Sequence, residues 1–168
     1  MPEDDRFEPP YEGDERATVE GFLDFHRDTL LWKCAGLTPE QLRLRPLPTT
    51  NLSLHGLVRH LADVERGWFR ESVAGEKVEP IFFTEQNPDL DIDPPADADP
   101  LADIEVFKAE VERVRAVMKD RPLDSTFVSR RGRTISVRWV YVHMIEEYAR
   151  HNGHADLLRQ AIDGVTGE

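Results

Sequence analysis

The sequence predicts an all-α protein, a four-helix bundle with long crossover loops. Three observations carry this. Apolar residues recur at spacings of three and four in four separate segments, the pattern of one buried stripe per helix. Gly or Pro closes each segment. The chain has 168 residues and 39% apolar composition, enough for one core of this kind but short of a second large domain.

The first helix is expected over residues 16–36, with Val19, Phe22, Leu23, Phe25, Leu30 and Leu31 inward and Gly36 supplying the left-handed residue that ends it. Thr38-Pro39-Glu40-Gln41 reads as a capped short turn with Pro at the first helical position. The second helix is expected over 52–74, with Leu54, Leu57, Val58, Leu61, Val64, Trp68 and Phe69 on one side and Gly75 at its end. From Val78 to Pro100 the chain turns to Pro, Asp and Asn without periodicity, which predicts a long, partly ordered surface crossover. The third helix, 101–119, carries Ile104, Phe107, Val111, Val114, Val117 and Met118, and Arg121-Pro122 stops it. Thr126 to Arg133 is short enough for a brief hairpin, and the fourth helix is expected over 136–163, closed by Gly164. The domain reading is an acidic, flexible tail over 1–15 and a single helical bundle over 16–164.

The formal charge is −12, from 21 Lys and Arg against 33 Asp and Glu. Residues 1–16 hold seven acids and two bases, and residues 87–100 hold five Asp and no base, so the acid is concentrated in two segments. Such a surface repels phosphate backbones, which argues against nucleic acid or an anionic membrane as partner. Arg130, Arg131, Arg133 and Arg138 form a local exception that fits a solvated turn and helix start. Cys34, the single cysteine, excludes an intrachain disulfide or a thiolate-ligated cluster. No signal-peptide pattern opens the chain and no run approaches the ~18 apolar residues of a membrane span, so the expected compartment is the cytoplasm.

Six His occur, at 26, 55, 60, 143, 151 and 154. At roughly 100° per residue on the fourth helix, Val137, Val140, Met144, Tyr148, Ala155, Leu158 and Ile162 share an inward sector that includes His151. Glu147 borders it, while His143 and His154 lie further round, toward solvent or a pocket wall. A Glu and a His four residues apart point the same way, so Glu147 and His151 have the spacing for two positions on one metal ion, a construction helical bundles use. On the second helix His60 flanks the apolar stripe and His55 points well away from it, which makes His60 the better third ligand. The alternative for each is a surface or hydrogen-bonded core side chain, but a half-buried carboxylate left unpaired costs several kcal/mol.

The stretch Leu57-Val58-Arg59-His60-Leu61-Ala62-Asp63-Val64-Glu65-Arg66-Gly67-Trp68-Phe69, followed later by Tyr148-Ala149-Arg150-His151-Asn152-Gly153-His154, resembles the DinB superfamily of metal-binding four-helix bundles. In particular it resembles the actinobacterial mini-circle protein branch. The likeness runs from about Thr18 to Ile162. It implies a divalent metal held by His60, Glu147 and His151, with open positions for water, thiol or substrate. Zinc is the expected ion, with nickel, manganese or iron as alternatives. Members like the prototype carry His at the position of Glu147; the mycothiol-dependent branch, which includes maleylpyruvate isomerase, carries Glu there. His154 stands where many members have Gln, which implies a supporting group or substitute ligand. The C-terminal domain of the two-domain isomerases is missing here, so their reaction does not carry over. Relatives often form homodimers, which implies one here.

Three functions follow. The first is a mycothiol-dependent transferase, in which the metal presents a thiolate to an electrophilic small molecule and Cys34 is a bystander. The second is a non-catalytic metal-binding or stress-response protein. The third is an oxygen-activating iron protein built on two His and one carboxylate. Asp63 and His154 are candidates for assisting substrate protonation, with solvated or supporting roles as the alternative.

Overall fold

A computed structural model describes residues 6–166 of the chain. Four long helices form the bundle: α1 (Glu15–Cys34), α3 (Leu54–Glu65, continued by a π-helical segment Arg66–Val73), α4 (Pro100–Met118) and α5 (Val137–Asp163). A short α2 (Pro39–Arg43) follows α1, and a hairpin of β1 (Thr126–Val128) and β2 (Thr134–Ser136) precedes α5. The hairpin is antiparallel, with Phe127 opposite Ile135. The all-α class therefore holds, with one two-stranded ornament.

Each helix starts where a short polar side chain can take an orphan backbone N–H. Asp14 accepts from Ala17 N at 2.8 Å, Ser53 from Gly56 N at 3.0 Å and Ser136 from Trp139 N at 3.2 Å. Thr38 and Gln41 close a reciprocal capping box around α2. The helices stop where expected: Gly36, Gly75 and Gly164 all sit at positive φ, which a side chain would penalise.

α1 packs mainly on α5, and α3 on α4. Leu23, Leu30, Leu57, Leu61, Phe107, Val140, Met144 and Leu158 are fully buried between them. Phe22, expected inward, is 45% exposed, because α1 turns a narrower stripe to the core than its apolar count suggests. Within the segment expected as an acidic tail, Arg6 stacks over Phe25 and Trp32, and Pro10 lies against Gly21. Residues 1–5 of that segment lie outside the described residues.

Two features depart from the sequence expectation. The second helix changes its hydrogen-bond step after Glu65; Ala74 N reaches Phe69 O at 2.9 Å, a five-residue span. From this segment Arg66 and Arg70 both reach the wholly buried Glu110 on α4, at 2.8 and 3.0 Å. The crossover after Gly75 is not loose. Asp63 accepts the N–H groups of Ile81 and Phe82, Arg59 donates to Leu90 O, and Arg43 donates to Ala98 O. This strap covers the polar side of α3, and His55, expected to point away from the core, is consequently buried, with Nε2 2.7 Å from Asp103 on α4.

Candidate metal centre

The stripe of α3 and the stripe of α5 face one another, and the side chains flanking them meet. His60 leans from α3 toward His151 on α5, with ring centroids 4.9 Å apart. Glu147 lies one turn before His151, and its Oε2 is 3.6 Å from His151 Nε2. One ligand atom from each of His60, Glu147 and His151 falls within 4.8 Å of the others, and among the described residues no other group of three or more His, Cys, Asp or Glu side chains does this. All three are half-buried, so none of them is sealed from solvent.

The donor chemistry fits a divalent cation. Asp91, from the strap, stands 2.8 Å from His60 Nδ1. Burial alone would raise its carboxyl, but the hydrogen bond and charge of His60, with the N–H of Ile92, hold it below the usual range. An ionised carboxylate only accepts, so His60 Nδ1 is the donor and Nε2 is left free for a ligand. Burial, then the proximity of His60 and His154, pushes the His151 imidazole down to about 4, which keeps it neutral as a metal ligand must be. His154 is adjacent to the trio, its Nδ1 3.5 Å from His151 Nδ1, but outside the cluster of three atoms.

His143 extends the site along α5. Its Nε2 is 3.8 Å from Glu147 Oε1, and its ring stacks on Trp139 and meets Trp68 edge-on, each at 4.9 Å. Asp63 accepts the strap's Ile81 and Phe82 N–H groups, so both of its carboxylate oxygens are engaged. Cys34 is buried on α1, and burial pushes its thiol up to about 12, which suits the bystander expected.

The structure adds Asp91 and the Trp68–His143–Trp139 wall to the residues expected at the site. Asp91 is one of five Asp in an aperiodic stretch, with no pattern to single it out. The wall was half-visible: Trp139 precedes His143 by four residues, the spacing that stacks side chains on one helix face.

No helix among the described residues is long and apolar enough to cross a membrane. A family model described as mycothiol S-transferase matches residues 18–164. No curated protein matches the chain.

Proposed function

Given that the chain belongs to the mycothiol S-transferase family, a DinB-like family, we propose that it joins mycothiol to an electrophilic small molecule at a metal held by His60, Glu147 and His151. The convergence of those three side chains from α3 and α5 is the observation that carries the reading.

Zinc is the ion proposed. When bound beside one carboxylate and two neutral imidazoles, a divalent ion keeps a net charge of +1 and supplies the Lewis acidity that lowers the pKa of an adjacent thiol. The chain's own residues do the rest. Asp91 fixes the tautomer and direction of His60 through Nδ1. His151 stays neutral through burial. His154, beside His151, is the group proposed to take up the thiol proton. The sulfur then forms one bond to the electrophilic carbon, and the electron pair displaced from that carbon either departs with a leaving group or stays on the substrate, which then takes up a proton. The expected geometry, three protein ligands with open positions, is that of a catalytic rather than a closed structural site.

The test mixes metal-loaded protein with mycothiol and a panel of electrophiles, alongside His60→Ala. The reading expects adduct formation well above the variant's rate. Rates equal to those of His60→Ala would assign the protein to the non-catalytic metal binders instead.

A further inference from the structure

In a protein with a net charge of −12, one cavity is lined by three arginines and no acid. It measures about 780 Å³ and lies between the π-helical turn and the β1–β2 hairpin, with Arg130, Arg131, Arg133, Trp68 and Trp139 in its wall. That size suits a small organic molecule. Arg130 is paired with Glu71. Arg131 and Arg133 form no ion pair among the described residues, so their guanidinium groups are available to an anion. Ser72 and Thr134 add hydroxyls, and Ser136 and Trp139 at the start of α5 belong to the same wall.

The cavity is joined to the trio by a chain of side-chain contacts. Trp68 and Trp139 are 5.4 Å apart; both touch His143, and His143 approaches Glu147. Trp139 precedes Glu147 by eight residues, about 12 Å along the helix. A ligand with its charge among the arginines and a flat apolar body against the tryptophans would lie one side chain, His143, away from Glu147. Mycothiol is a cysteinyl glucosaminyl inositol with no anionic group besides its thiolate, so it offers nothing for two guanidinium groups to pair with.

We propose that this cavity binds the second substrate, and that this substrate is an anionic electrophile with a planar conjugated body. The assignment of the ligand as a substrate rests on the transferase reading; the affinity of the cavity for such anions does not. In the proposed reaction with a carboxylated enone, the thiolate sulfur bonds to the β-carbon. The alkene electron pair moves to the α-carbon and carbonyl, and the α-carbon takes a proton from solvent, so nothing is expelled or oxidised.

The test compares 4′-carboxychalcone with its uncharged twin 4′-carbamoylchalcone. Binding is measured by calorimetry on metal-free protein, where a carboxylate has no ion to ligate, and turnover on the zinc-loaded protein with mycothiol. The carboxylate should bind at least about tenfold more tightly than the amide, and Arg131→Gln/Arg133→Gln should erase the difference. In turnover the double variant should raise KM for the carboxylate with kcat kept. Equal binding of the two chalcones, or a preference that survives in the double variant, overturns the cavity assignment. Charge-selective binding without any turnover keeps the anion site but removes its role as a substrate site, and counts against the transferase reading. Both arginines are exposed on a hairpin turn, so folding is not at stake.

Discussion

Asp91 Oδ2 lies 2.8 Å from His60 Nδ1, across 31 residues of sequence. The contact joins the aperiodic strap to the trio of His60, Glu147 and His151, and it makes a segment without regular structure part of the candidate site. The strap is held to α3 on both sides of this contact, by Arg59 at Leu90 and by the close approach of Gly56 to Ile92.

Asp91→Ala should therefore weaken metal binding without unfolding the bundle. Loss of such an orienting carboxylate typically costs 10–100-fold in metal affinity, roughly the drop expected here. Competition against a chromogenic chelator measures it, with circular dichroism as the control for fold.

Gly56→Ala acts on the same contact from beneath. A Cβ at position 56 would stand 2.2 Å from Ile92 O, so the strap must move away. Overpacking of this kind costs about 1–3 kcal/mol. Because Ile92 adjoins Asp91, metal affinity should fall together with stability in urea titrations, whereas Gly67→Ala, which meets nothing within 4 Å, should spare metal binding.

Glu65 is wholly buried on α3 between Arg27 of α1, with two contacts at 2.7 Å, and the Tyr148 hydroxyl of α5, at 2.9 Å. It ties three helices at one point. Glu65→Ala leaves the Arg27 charge buried and partnered only by Asp24 near the surface, and should cost about 3–5 kcal/mol. Tyr148→Phe, which removes one hydrogen bond, should cost about 1 kcal/mol. Equilibrium denaturation separates the two.

Acid should unfold the protein through Glu110 and Asp103. Burial alone would raise both carboxyls, but Arg66 and Arg70 hold Glu110 below its ordinary value, and His55 and Arg59 do the same for Asp103. A carboxylate with a lowered folded pKa contributes stability that is present above its unfolded pKa, about 4, and is lost as pH falls through the folded value. Tm should thus decline below about pH 4 for this reason. Glu110→Gln should lower Tm at pH 7 and flatten that acid decline.

Most of the bundle was legible because Leu57, Leu61, Val140 and Met144 obey a helical period that burial imposes. The convergence of His60, Glu147 and His151 was legible for the same reason, since each flanks such a stripe. His55, Arg59 and Asp63 were not: a polar helix face is read as solvated, and only the folded strap and α4 reveal that it is covered. The π-helical turn left no mark either, because it shifts each hydrogen bond by a single residue while Phe69 and Val73 stay inward. Asp91 depends on where an aperiodic segment comes to lie, which no local spacing records.

The proposed function requires that His60, Glu147 and His151 hold an ion that a thiol can reach. It is tested most directly by loading the protein with one equivalent of cobalt(II) and titrating with mycothiol under anaerobic conditions. A thiolate-to-cobalt absorption band should appear, saturate at one thiol per ion and be missing from His151→Ala. Absence of the band from cobalt-loaded wild-type protein, or its survival in His151→Ala, would contradict it.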